Sequence, residues 1–194
     1  MLGLILCGGQ SSRMGSDKGL LKLEANTWAQ TALDKMAVLK IPVKISINNR
    51  QYSDYASVFP ATDLIVDDDS MPVKGPLAGV LSCHVKFPEE DIFILACDMP
   101  MMNSFLLQNL YDHSRQKPSS QAYVYGNEGE PEPLCGLYRA SGLAVIMKLL
   151  NEGKLEKQSM KCMLDHMETS TIALTQEEKR FFRNFNAHAE LNGL

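Results

Sequence analysis

One segment concentrates the residue types that handle phosphate: Leu6-Cys7-Gly8-Gly9-Gln10-Ser11-Ser12-Arg13-Met14-Gly15-Ser16-Asp17-Lys18. Gly8 and Gly9 let the backbone approach a ligand closely. Successive backbone N–H groups in such a loop form an anion-binding concavity. Arg13 and Lys18 add cations that can neutralise phosphate oxygens. The plainer alternative is a glycine-rich turn carrying two surface cations. Its position, directly after the first apolar run, favours the ligand reading. There is no G-x-G-x-x-G and no G-x-x-x-x-G-K-[ST], so neither the dinucleotide fingerprint nor a P-loop is present.

Three further clusters bear on the same chemistry. Cys97-Asp98-Met99-Pro100 follows the most apolar run of the chain, Ile92-Phe93-Ile94-Leu95. A carboxylate there would lie in a ligand crevice, and hard Mg²⁺ takes carboxylate and phosphate oxygens. Asp98 is therefore the candidate metal ligand; capping of the following segment is its alternative role. Asp67-Asp68-Asp69 also ends an apolar run, and Gly75-Pro76-Leu77-Ala78-Gly79 follows it. One of these acids could contact metal or ribose, and charge alone does not choose among them. Asn48 and Asn49 end another run, where a side-chain amide could read a base edge or simply close a turn.

The remaining chemistry-bearing residues are less informative. His84, His113, His166 and His188 have no metal-ligand spacing and read as surface or helix-side residues. The methionines near Asp98, Met99, Met101 and Met102, read as core filling. The five cysteines are widely spaced, with no C-x-x-C, which argues against a zinc site or a disulfide framework. Free thiols in a reducing cytoplasm are the simplest reading.

Short apolar runs must position these groups. Residues 3–6, 43–47, 63–66, 91–96, 122–125, 134–138 and 170–174 read as strands. Residues 27–39 carry Trp28, Ala32, Leu33, Met36 and Ala37 at helical spacing. Residues 76–85, 103–116 (capped by Asn103), 142–150, 158–167 and 187–191 also read as helical. Strand and helix alternate without repeats or linkers, predicting one domain over 1–194. The class is α/β, with a mostly parallel sheet. Its ligand loops would follow Leu6, Ile47, Val66 and Ala96.

Composition narrows the classes of partner. A net charge of −4 gives no general attraction to nucleic acid or anionic membrane. No apolar run has the length of a transmembrane helix. The opening Met1-Leu-Gly-Leu-Ile-Leu-Cys7 lacks the charged leader of a signal sequence, and a buried first strand accounts for it better. A cytoplasmic location is the expectation.

Taken together, the segments resemble the molybdenum cofactor guanylyltransferase family, the MobA-like nucleotidyltransferases. That family's pattern is approximately L-A-G-G-x-S-x-R-M-G-x-D-K, then G-P-L-A-G, then C-D-x-P. The chain carries residues 6–18, 75–79 and 97–100 in the same order. Pro133-Leu134-Cys135-Gly136-Leu137-Tyr138 is similar to the family's proline-containing strand near the acceptor site. Residues 185–191 resemble its closing N-x-N-T-P-E-E-L segment, with Ala187-His188 in place of Thr-Pro. Cys7 stands where the family has alanine. Ser11 and Asp17-Lys18 separate the chain from the sugar-nucleotide and isoprenoid cytidylyltransferase branches.

The resemblance implies a three-layer α/β/α, Rossmann-like fold of the nucleotide-diphospho-sugar transferase type. It implies transfer of GMP from GTP to molybdopterin or the molybdenum cofactor, with Mg²⁺ and release of pyrophosphate. Asp98 would hold the metal, with Arg13 and Lys18 also catalytic. Leu6, Cys7, Gly8, Gly9, Lys18, Asn48, Asp67 and Asp98 would form the GTP site. Asn48 is preferred to Asn49 because it follows Ser46 by two, as in the family's S-x-N; Asp67 is preferred to Asp68 because it directly ends its strand. Cofactor-synthesis proteins and acceptor molybdoenzymes would be the protein partners. The alternatives are a cytidylyltransferase or sugar-phosphate nucleotidyltransferase of the same superfamily, and a non-catalytic nucleotide-binding cofactor chaperone.

Overall fold

The computed structural model describes residues 1–8, 17–23 and 25–185. Within them the elements run β1 (Leu2–Leu6), β2 (Lys22–Leu23), β3 (Asn26–Thr27), α1 (Trp28–Met36), β4 (Val43–Ile47), α2 (Tyr52–Ala56) and β5 (Leu64–Val66). There follow α3 (Pro76–Lys86), β6 (Ile92–Ala96), α4 (Ser104–Gln116), β7 (Ala122–Asn127), β8 (Glu130–Tyr138), α5 (Ala140–Asn151), α6 (Met160–Asp165) and β9 (Thr169–Ala173). Short 3₁₀ turns lie at Lys18–Leu20 and Asn49–Gln51, among others. The helix expected over 187–191 lies outside the described residues, as do Gly9 and Arg13.

Seven strands form one sheet in the order β5-β4-β1-β6-β8-β7-β9. β1, β4, β5 and β6 are mutually parallel; β8 runs antiparallel to both of its neighbours. β9 pairs parallel with β7. The continuous apolar runs of β1 and β6 have their physical reason here. Both strands lie inside the sheet, buried on both faces, so neither face tolerates a polar residue.

Side-chain alternation divides the core into two layers. Ile5, Phe93 and Leu95 face α1 and α4, meeting Ala29, Ala32, Met36, Leu106, Leu107 and Leu110. Leu2, Leu4, Leu6, Ile92 and Ile94 face α3, α5 and α6, meeting Leu77, Leu81, Leu143, Ile146 and Met163. This is the expected three-layer α/β/α arrangement, with one strand reversed.

Local chemistry fixes the helix starts. Thr27 Oγ1 accepts from Gln30 N at 3.1 Å and opens α1. Asn103 Oδ1 accepts from Phe105 N at 2.8 Å and opens α4. Gly75 takes φ 68° and ψ −152°, a conformation that disfavours a side chain, and Pro76 begins α3. The Gly-Pro pair is thus a helix-start device.

The structure differs from the sequence expectation in several places, including the short β2/β3 pair, which takes Thr27 out of the helix expected over 27–39. β8 begins at Glu130 rather than near Leu134, and β7 runs on to Asn127, making one hairpin. The expected helix over 158–167 contracts to Met160–Asp165, and α2 with its preceding 3₁₀ turn was not anticipated. Of the two expectations for His84, surface or helix-side, the second holds: it lies on α3 and is 5% exposed. Among the described residues no helix is long and apolar enough to cross a membrane.

Phe93 is fully buried at the centre of the α1/α4 layer. Phe93→Ala should lower unfolding free energy by about 3–5 kcal/mol, read by urea denaturation.

Candidate functional site

The order of the sheet determines where a site can form. From β1 the chain moves outward to β4 and β5, then returns across them to place β6 on the other side of β1. The strand order reverses at the β1/β6 boundary, leaving a crevice beyond the carboxyl ends of those strands. Leu6 lies opposite Ala96 there, so the loop after β1 and Asp98 after β6 leave the sheet side by side.

Asp98 sits in a turn tied down on several sides. Cys97 N donates to Leu6 O at 3.2 Å, and Met99 N to Ala96 O at 3.4 Å. Phe185 N donates to Asp98 O at 2.9 Å, which brings the start of the closing segment to the site. Lys35 Nζ, from α1, donates to Pro100 O, and burial lowers this lysine's pKa to about 8. The Asp98 side chain itself is poorly served. Its Oδ1 is buried with no hydrogen-bond partner among the described residues, and its Oδ2 lies 3.8 Å from Lys18 Nζ. Burial raises the Asp98 pKa, while the Lys18 charge opposes that rise.

Asp67 forms the second polar centre. It follows β5, and its Oδ1 accepts from Ser46 Oγ on β4 at 2.8 Å. A Cβ at Gly8 would lie 2.9 Å from Asp67 Oδ2. A Cβ at Gly79 would collide with Ser46 Oγ and stand 3.3 Å from Asp67 Oδ1. Glycine at the end of Gly75-Pro76-Leu77-Ala78-Gly79 therefore lets α3 close over the carboxylate. Burial pushes Asp67 up to about 6, with the Ser46 hydrogen bond and Lys86 opposing and Asp69 adding to the rise.

The other acids do different work. Asp68 is exposed and its Oδ1 accepts from Ser70 N and Ser70 Oγ, closing a turn. Asp69 Oδ2 accepts from Asn49 Nδ2 at 2.8 Å on the exposed rim. Of the three acids, Asp67 reaches the β1 loop through Gly8. Asn48 Oδ1 accepts from Arg50 N and Gln51 N, so Asn48 caps the 3₁₀ turn. That occupies its carbonyl oxygen.

Leu6, Cys7, Gly8, Lys18, Asn48, Asp67 and Asp98 thus gather around the carboxyl ends of β1, β4, β5 and β6. Gly9 and Arg13 lie outside the described residues. Pro133–Cys135 form a bulge in β8: Val124 faces Gly136, but Tyr125 faces Glu132. Cys135 pairs with Leu95, so Leu134 and Pro133 continue beside the end of β6, toward Asp98. Tyr138 Oη donates to Pro133 O at 2.8 Å and holds the bulge. Among the described residues no three His, Cys, Asp or Glu side chains cluster as a metal cage.

Residues that the sequence reading did not single out also belong here. Gln51 and Tyr55, on the unanticipated segment after β4, both contact Asp17. Lys35 reads in sequence as one charge on an amphipathic helix. Gln51 offered the signal of an Asn-x-x-Gln capping box.

A profile of the MobA-like NTP transferase domain matches residues 3–170. The chain belongs to that family. It is 28% identical over 190 residues to a probable molybdenum cofactor guanylyltransferase of Flavobacterium johnsoniae, spanning 98% of this chain and 94% of that protein. It is 30% identical to a protein of the same description from Carboxydothermus hydrogenoformans, over 98% of this chain and 92% of the other. The fold is similar to that of molybdopterin-guanine dinucleotide biosynthesis protein A from Archaeoglobus fulgidus, with a TM-score of 0.79. That likeness covers 100% of this chain and 96% of the other, at 21% identity.

The raised Asp67 pKa has a defined effect on stability. Between its ordinary 3.8 and about 6, the native state keeps a proton that the unfolded state has lost. This component of stability is full below about pH 4, declines as pH rises, and levels off above about pH 6. Asp67→Asn should remove that slope and raise stability at about pH 8 by about 1–2 kcal/mol, read by urea denaturation across pH.

Proposed function

We propose that this member of the MobA-like NTP transferases transfers GMP from GTP to the terminal phosphate of molybdopterin or its molybdenum form. An acceptor phosphate oxygen attacks the α-phosphorus in line. The new P–O bond forms as the bond from the α-phosphorus to the β-bridging oxygen breaks, and pyrophosphate leaves. The choice of guanine and of the acceptor is supported by the near full-length relatives described as molybdenum cofactor guanylyltransferases. The observation that carries the chemistry is the pairing of Lys18 with the half-satisfied Asp98 carboxylate at the β1/β6 crevice.

No protein nucleophile is required, so orientation and charge neutralisation carry the catalysis. Gly8, Gly9, Arg13 and Lys18 bind the triphosphate. Leu6, Cys7 and Asn48 line the guanine pocket, and Asp67 completes the nucleotide site. The bulge at Pro133, and Phe185 through its hydrogen bond to Asp98 O, stand on the side left for the acceptor.

Asp98 fits a divalent cation. A buried carboxylate oxygen without a donor is costly, and a hard cation would satisfy it. Mg²⁺ held there would offset the negative charge that develops on the transferring phosphoryl group. The five cysteines are free and buried, which fits a reducing cytoplasm.

With GTP, Mg²⁺ and molybdopterin, the protein should release pyrophosphate, and GTP should raise its melting temperature more than CTP. Preferential stabilisation by CTP, or GTP binding without product, would overturn the guanylyl assignment or the catalytic one respectively. Asp98→Ala should cut pyrophosphate release by about 10²-fold or more. Its melting temperature should hold or rise, because the change removes an unsatisfied buried carboxylate. Lys18→Ala should weaken GTP binding about tenfold and slow turnover, read by GTP titration and initial rates.

A further inference from the structure

Lys18 is a long, flexible side chain, yet the backbone on both sides of it is fixed. Asp17 precedes it and caps the 3₁₀ turn Lys18–Leu20, with Oδ1 accepting from Gly19 N at 2.9 Å. The same Oδ1 accepts from Tyr55 Oη at 2.7 Å. Asp17 Oδ2 accepts from Gln51 Nε2. Gly19 follows Lys18 and is buried against Tyr55; a Cβ there would collide with Tyr55 Oη and lie 3.1 Å from Cys7 Sγ.

Gln51 is a junction between segments distant in sequence. Its Nε2 also donates to Cys7 O at 3.0 Å, at the end of β1. Its Oε1 accepts from Asn48 N at 2.7 Å, at the end of β4. Both amide hydrogens and the carbonyl oxygen are therefore used. One side chain ties β1, β4 and the turn carrying Lys18 together. Gln51 is 8% exposed and Tyr55 0%. Burial, with Cys7, Cys97 and Asp17 adding to it, holds the Tyr55 phenol far above its ordinary pKa, so it stays a donor.

We infer that Gln51 and Tyr55 are positioning residues for nucleotide binding: by holding the Asp17 carboxylate they fix where the Lys18 ammonium stands beside Asp98 and meets the triphosphate. This rests on the reading above that Lys18 binds that triphosphate. The geometry separates the two roles. Gln51 and Tyr55 hold the Asp17 carboxylate, and Lys18 extends from the same turn to within 3.8 Å of Asp98. A fixed cation loses less freedom when it meets an anion than one on a loose turn does.

A double-mutant cycle tests the coupling, with GTP and Mg²⁺ titrated into wild type, Tyr55→Phe, Lys18→Ala and the double variant. Tyr55→Phe keeps the ring and its packing and deletes only the donor. It should weaken GTP binding about tenfold with Lys18 present and less than about twofold without it. Gln51→Met, of similar length but without the amide, also frees Cys7 O and Asn48 N, so it should cost some affinity in both backgrounds but clearly more with Lys18 present, and that excess carries the test if Tyr55→Phe melts early. An equal penalty in both backgrounds, or none with Lys18 intact, overturns the inference while leaving the Lys18 reading in place. Wild-type affinity in Lys18→Ala alone overturns that reading, and the inference with it.

Discussion

Parallel pairing of β1 with β6 is the constraint on which the rest of the structure depends. Leu2 faces Ile92 and Leu6 faces Ala96, joining segments from opposite ends of the first half of the chain. No turn enforces this contact. It is held by apolar side chains packed on both faces of the two strands, from α1 and α4 on one side and α3 and α5 on the other. The geometry of the site follows. Two loops that leave neighbouring parallel strands at the same edge must diverge around a crevice, and there Lys18 and Asp98 meet.

The polar groups at that edge are held in conditions that would be unfavourable in a purely structural role. Asp67 and Asp98 are both desolvated enough to raise their pKa values. Asp98 also retains a buried oxygen without a donor among the described residues. Proteins ordinarily satisfy such groups, and among the described residues Asp67 keeps only the Ser46 hydroxyl as a donor to its carboxylate. By contrast, Asp17 is satisfied by three donors. The difference in satisfaction separates Asp17, which holds the turn at Lys18–Leu20, from Asp67 and Asp98.

Several parts of this arrangement were legible in the residues. The carboxyl ends of β1, β4, β5 and β6, the Gly75-Pro76 helix start and the Asn103 cap follow from short-range rules, because each depends on neighbours within a turn. The cluster Asp67-Asp68-Asp69 was ambiguous on those rules. Only the Ser46 hydrogen bond and the approach of Gly8 and Gly79 separate Asp67 from Asp68, which closes a turn with Ser70. His84 lies on a helix as expected, but helical position alone does not say which neighbours cover a side chain, and it is buried. The hairpin from Tyr125 to Glu132 is longer than the residues suggest because Pro131 and Pro133 weaken the strand signal, whereas Pro131 pairs with Gly126 and Pro133 falls in the bulge.

The sequence by itself determined the alternating α/β pattern, the two apolar central strands and the residues able to handle phosphate and metal. Those depend on residue type and local spacing. The opening segment, residues 6–18, reads as a phosphate-handling segment from residue type alone. Only the tertiary structure decided that its last residues are held by Gln51 and Tyr55, and that Lys18 stands against Asp98. Those contacts join β1, α2 and β6, whose separation along the chain leaves no periodic signal. They arise from the order in which the strands assemble.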